Sequence, residues 1–117
     1  MSIIFYLDDK RNPDYSTGDT YIVTRSFSEA VDIIENHPVS KSFDVWDLDH
    51  DLDESLEARF GGYASTTSKK TGLDFLRWAA ENALDRWPRG KVLVHSANPA
   101  GRKNMEGFIV QVEKRLL

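Results

Sequence analysis

Four short apolar runs limit what this chain can fold into. Ile3–Leu7, Tyr21–Thr24, Phe43–Leu48 and Lys91–Val94 carry the β-branched and aromatic residues of strands and are too short for buried helices. Between the second and third runs, Ser26 and Glu29 have capping-box spacing, with Ala30, Val31, Ile33 and Ile34 behind them. That spacing predicts a helix over Phe27–Asn36, closed by Pro38. Thr71 and Asp74 repeat the signal ahead of Leu73, Leu76, Ala80, Ala83, Leu84 and Trp87, which share one helical face and predict a helix ended by Pro88 and Gly90. Phe75 and Trp78 fall off that stripe and read as a second packed face. After the fourth run, Asn98 and Pro99 form an N-cap and first-turn pair, and Met105, Phe108, Ile109, Val112 and Leu116 supply the buried stripe of a last helix.

The order strand, strand, helix, strand, helix, strand, helix is that of a parallel sheet with helical crossovers. With 117 residues, 40% of them hydrophobic, and three tryptophans, the chain has enough apolar mass for one domain with a true core. The polar stretch from Asp53 to Lys70, with Gly61-Gly62 and a Ser/Thr run, reads either as a binding loop or lid or as a surface insertion.

Ligands of open parallel sheets bind beyond the carboxyl ends of the strands. Three strands deliver polar residues to that edge: Asp8 and Asp9, then Asp49, His50 and Asp51, then His95, Ser96 and Asn98. Converging carboxylates either bind a hard divalent cation or hold protons through raised pKa values, and the cation is the simpler solution. Alternation places Asp47 on the face of Asp49, although Asp47 reads equally as a hydrogen-bonded residue without chemistry. His50 and His95 at one edge form an acid and base pair, whereas His37, beside Pro38, reads as a capping or surface residue.

Arg102 and Lys103 occupy the first turn of the last helix, where the macrodipole disfavours cations and an anion would relieve the conflict. Ser96, Asn98, Arg102 and the backbone amides there make a phosphate cradle, with Lys103 read as solvated. Lys10 and Arg11 either add a second positive wall or are solvated loop charges.

Composition narrows the partners. A charged content of 29% and a net charge of -4 give no surface for an extended nucleic-acid duplex, so any phosphate is held by a local pocket. With no cysteine there is neither a disulfide framework nor a zinc-thiolate site, which fits a reducing compartment and makes the cytosol the expected location. Met1–Leu7 lacks a basic region and runs into Asp8 and Asp9, so it reads as neither signal peptide nor membrane span.

Leu7-Asp8-Asp9-Lys10-Arg11-Asn12-Pro13, Asp49-His50-Asp51-Leu52, Thr71-Gly72-Leu73-Asp74 and His95-Ser96-Ala97-Asn98-Pro99-Ala100-Gly101-Arg102 together resemble the cyclic-phosphate processing receiver-like domain family over nearly the whole chain. The resemblance implies an α/β fold of bacterial and phage contexts, a receiver-like (flavodoxin-like) three-layer sandwich with a short parallel sheet of about four strands. It also implies a role in processing cyclic phosphates on nucleotides or RNA ends. Under it, Asp8 and Asp9 match the receiver acidic pair, Asp49 the strand-three aspartate and Ser96 the hydroxyl residue after strand four, together holding Mg²⁺ and phosphate. His50 and His95 are additions to that pattern. A signalling receiver also carries a lysine after a fifth strand, and no such strand or lysine follows the helix ending at Leu117, so phosphorelay output is not expected. Trp46 and Leu48 depart from the residues expected before Asp-His-Asp, and Asp47 has no clear counterpart.

The expected function is a phosphoesterase that opens a cyclic phosphodiester on a nucleotide or an RNA end. Asp8, Asp9 and Asp49 would hold the divalent cation, His50 and His95 share acid and base duty, and Ser96, Asn98 and Arg102 bind phosphate, with Asp51 and Arg11 in support. The alternative is a non-catalytic module that sequesters a cyclic nucleotide, or a degenerate receiver acting through protein contacts.

Overall fold

The computed structural model describes residues 2–37, 43–52 and 70–116. Its strands are β1 (Ile3–Leu7), β2 (Thr20–Thr24), β3 (Val45–Leu48) and β4 (Lys91–Val94), and its helices α1 (Phe27–Asn36), α2 (Gly72–Asn82) and α3 (Pro99–Leu116). The strands form one parallel sheet in the order β2-β1-β3-β4. With the three helices this is a receiver-like α/β flavodoxin fold. The Asp53 to Lys70 loop expected from the sequence lies, up to residue 69, outside the described residues, as do Pro38 and Leu117.

Strand alternation sorts the sheet into two unlike faces. Phe5, Leu7, Trp46 and Leu48 join Ala30 and Ile34 of α1, Phe75, Leu76 and Ala79 of α2, and Met105, Ile109 and Val112 of α3 in one buried cluster, so all three helices share that face. Phe75 is its hub: the ring lies 5.3 Å from Phe5 and 5.4 Å from Trp46, and Trp46 in turn lies 5.1 Å from Trp87. Burying each such ring stabilises the fold by roughly 1.5–3 kcal/mol. The other face carries Tyr6, Asp47 and Leu93 in register across β1, β3 and β4.

The helix starts follow their sequence signals. Ser26 Oγ accepts the Glu29 N–H at 3.1 Å, and Thr71 and Asp74 close a full capping box ahead of α2. Asn98 Oδ1 accepts the Gly101 N–H at 3.1 Å and so caps α3.

Three boundaries differ from expectation, the smallest being β2, which begins at Thr20 rather than Tyr21. β3 begins at Val45 rather than Phe43 because Asp44 is committed elsewhere: its carboxylate accepts the Ile3 N–H at 2.9 Å and its carbonyl accepts the Gly90 N–H at 2.8 Å. α2 stops at Asn82 because Ala83 leaves helical geometry (φ -143°, ψ 36°), and a single 3-10 turn over Leu84–Arg86 then brings Trp87 back into the core. His37 ends α1, with its ring stacked 4.3 Å from Phe43. No described helix is long and apolar enough to cross a membrane.

Candidate functional site

The sheet ladder continues one residue past three strand ends, and that continuation fixes the site. Asp8 N–H donates to the Thr24 carbonyl at 3.1 Å, Asp49 N–H to the Leu7 carbonyl at 2.8 Å, and His95 N–H to the Leu48 carbonyl at 2.9 Å. Asp8, Asp49 and His95 therefore keep the parity of Tyr6, Asp47 and Leu93 and project on the face opposite the helices.

Asp8 and Asp49 are 1% and 4% exposed, which makes them the two buried acids among the described residues. One carboxylate oxygen from each of Asp8, Asp9 and Asp49 lies within 4.8 Å of the others. They line a cavity of about 260 Å³ together with Arg11, Asp51 and Ala97. Burial, reinforced by the neighbouring Asp8 charge, pushes the Asp49 carboxyl above its ordinary value. Burial also acts to raise Asp8, but the backbone N–H groups of Arg11 and Lys10, at 2.9 and 2.8 Å from Oδ1, and the His95 ring outweigh it and hold that carboxyl low. Arg11 joins the acids from the side, with Nε 3.1 Å from Asp8 Oδ2, Nη2 3.6 Å from Asp49 Oδ1, and Nη2 donating to the His95 carbonyl at 3.3 Å.

This donor set suits a hard divalent cation: three carboxylates, two of them already desolvated, with no nitrogen or sulfur among the ligands. Asp8, Asp9 and Asp49 are the residues that would hold it. Nothing in the donor set distinguishes Mg²⁺ from another hard cation.

Each histidine sits behind a carboxylate that lines the cavity. His95 Nε2 lies 2.9 Å from Asp8 Oδ2, its Nδ1 is hydrogen-bonded to Asp47 Oδ1, and its ring stacks on Tyr6 with centroids 4.8 Å apart. Burial opposes charge on this imidazole, yet Asp47 first and Asp8 second overcome it and raise the pKa. Tyr6, desolvated beside the same two aspartates, is pushed up to about 12 and stays a neutral phenol. His50 Nδ1 lies 2.9 Å from Asp51 Oδ1, and that hydrogen bond holds Asp51 below the usual carboxylate range. Gly101 makes room for the His50 ring, since a Cβ there would fall 2.5 Å from its Cγ. Gly72 does the same for the acidic turn, with its N–H donating to the His50 carbonyl at 2.8 Å and no space for a Cβ beside the Asp49 carbonyl.

The three residues expected to bind phosphate are brought near this edge to different degrees. Ser96 Oγ accepts the Asn98 N–H at 3.1 Å, and Asn98 Nδ2 reaches Asp51 at 3.5 Å. Arg102 points along its own helix, 3.4 Å from Glu106, and does not line the cavity.

Two side chains to which the sequence reading assigned no definite role organise the site. Asp47, left open between a chemical and a plain hydrogen-bonding role, partners His95. Arg25 ties down the loop after β1, with Nη1 donating to the carbonyls of Asp8 at 3.1 Å and Arg11 at 2.6 Å and Nη2 to Asn12 Oδ1. The parity of Asp47 with Asp49 was a usable signal for the first. Arg25, one residue before a helix cap, offered none.

A parallel β2-β1-β3-β4 sheet with an acidic cluster at the ends of its central strands defines a receiver-type domain. Within that class the chain belongs to the cyclic-phosphate processing receiver domain family, whose family model matches residues 3–111. That description points to a role in cyclic-phosphate processing. A search of curated proteins found no match.

Proposed function

We propose that this protein is a phosphoesterase that opens a cyclic phosphodiester on a nucleotide or an RNA end. The observation that carries the reading is the pairing of two histidines with the carboxylates of a single acidic cavity, His95 with Asp8 and His50 with Asp51. In the reaction a water oxygen bonds to phosphorus, one ring P–O bond breaks, the water proton passes to a base, and the departing oxygen takes a proton from an acid.

His50 is the base in this account. Asp51 engages Nδ1, which leaves Nε2 for proton exchange, and among the described residues Nε2 has no hydrogen-bond partner. His95, bracketed by two carboxylates, is the stored imidazolium and supplies the proton. Both rings reach the phosphate by adjustment of the carboxylate in front of them, a tightening that is common when substrate enters an apo site.

Asp8, Asp9 and Asp49 would hold a divalent cation, Mg²⁺ being the expected one, which would supply charge neutralisation for the phosphoryl group. Ser96, Asn98 and Arg102 seat the phosphate. Arg102 does so by exchanging Glu106 for the ligand, at a cost of about 1 kcal/mol or less for an exposed ion pair.

The test is product formation from 2′,3′- and 3′,5′-cyclic nucleotides and from RNA with a cyclic-phosphate end, with and without chelator. Conversion to the linear monoester supports the proposal. Ligand that binds and is recovered unchanged supports instead a module that sequesters cyclic nucleotides.

A further inference from the structure

Resting on the cation site proposed above, we infer that Arg11 is the resident counter-cation of the acidic cluster, that a divalent cation and its guanidinium exclude one another, and that the displaced guanidinium becomes a phosphate ligand. Two buried carboxylates side by side need a positive charge close by. Arg11 meets that need by reaching groups from three strand ends: Asp8 after β1, Asp49 after β3 and the His95 carbonyl after β4.

Asp8 explains the exclusion. Its Oδ1 accepts the backbone N–H groups of Lys10 and Arg11, and its Oδ2 faces both His95 Nε2 and Arg11 Nε. A cation taking Asp8 as a ligand must replace one of these. The backbone bonds belong to the loop that Arg25 pins, and His95 is anchored at its other nitrogen by Asp47. Arg11 is the weakest hold, because its side chain is 54% exposed and its longest contact is 3.6 Å.

The side chain can swing without moving the loop, since the Arg11 N–H and carbonyl are held independently by Asp8 and Arg25. A guanidinium beside a divalent cation is also repelled by it. Arg11 already lines the cavity, and its planar fork matches two phosphate oxygens better than an ammonium does. The acidic site thus carries no bare cluster of charge when empty and gains an anion-binding arm when the cation arrives.

The experiment titrates Mn²⁺ into the wild-type chain, R11Q and R11K by calorimetry, then titrates inorganic phosphate into the Mn²⁺-loaded proteins. R11Q is expected to bind Mn²⁺ roughly three- to tenfold more tightly than wild type and R11K about as wild type. Both variants are expected to lose roughly tenfold in phosphate affinity through loss of the fork. In the wild-type chain, the Arg11 Nε–H resonance is expected to shift on addition of Mg²⁺, a reading that does not depend on either variant folding. Equal or weaker Mn²⁺ binding by R11Q, or an unmoved Arg11 resonance while metal binds, overturns the exclusion and leaves the cation site standing. Unchanged phosphate affinity overturns the second role. Absence of Mn²⁺ binding in all three proteins overturns this inference together with the cation site.

Discussion

His95 Nε2 lies 2.9 Å from Asp8 Oδ2, and the same ring is hydrogen-bonded to Asp47 at its other nitrogen. A neutral imidazole has one N–H and cannot donate to two carboxylates, so the arrangement favours the imidazolium. Asp47 faces Asp8 across a positive ring, which lets three acids share the end of a narrow sheet.

Stability should follow this pairing with pH. His95 is raised above its ordinary 6.5, so the imidazolium's contribution is fully present below pH 6.5 and is lost as pH rises through the higher folded value. Asp8 is lowered below 3.8, so its contribution is present above pH 3.8 and is lost as pH falls through the folded value. Asp49 is raised, which has the opposite sign to Asp8: the contribution of its protonated form is present below pH 3.8 and is lost as pH rises through the folded value. Melting temperature is therefore expected to be highest at mildly acid pH and to fall on the alkaline side, with His95→Gln flattening the alkaline decline. An unchanged slope in that variant would remove His95 as its source.

Asp47→Asn keeps an acceptor for the ring but removes the charge. The expected result is a loss of about 1–2 kcal/mol in stability at pH 6 and a lower His95 pKa, read by NMR titration. Asp47→Leu should cost more, because it leaves Nδ1 without its partner. Equal His95 pKa values in the wild type and Asp47→Asn would contradict the bracket.

Gly101→Ala places a methyl group 2.5 Å from the His50 ring, a contact only movement of the imidazole can relieve. Helix propensity alone predicts a gain of about 1 kcal/mol for this change, whereas overpacking predicts a loss of about 1–3 kcal/mol. We expect a lower melting temperature and a larger proportional loss of turnover, because His50 leaves its place behind Asp51. A more stable and fully active Gly101→Ala protein would show that this ring position does not matter.

Gly72→Ala is the harsher change. Its Cβ would lie 2.0 Å from the Asp49 carbonyl oxygen, and a backbone atom in the middle of the site cannot swing aside. The expected outcome is loss of the cooperative thermal transition, while Thr71→Ala next to it costs only about 1 kcal/mol through the lost cap.

Much of this fold was legible because its signals are local. β1, α1 and β4 start and end where periodicity and capping put them. The end of α2 was not legible, since the stripe from Leu73 to Trp87 is continuous in sequence and only Ala83 breaks it in space. Phe75, off the main stripe and read as part of a second packed face, is fully buried, because a helix laid between two others and on a sheet buries more than one line of residues. At the site, the rule that ligands gather at the carboxyl ends of the strands placed Asp8, Asp9 and Asp49 at one edge, and the structure brings them together. What sequence could not supply was register and reach. Asp47 meets His95 only because β3 and β4 pair Leu48 with Val94, and Arg11 meets Asp49 only because a long side chain folds back across two strands.

The most direct test of the account is to resolve the products after the wild-type chain, His50→Ala and His95→Ala are each incubated with a 2′,3′-cyclic nucleotide. The account predicts linear monophosphate from the wild type and a loss on the order of 10²- to 10⁴-fold in each variant. Cyclic nucleotide recovered intact from the wild type, or full turnover by both variants, would contradict it.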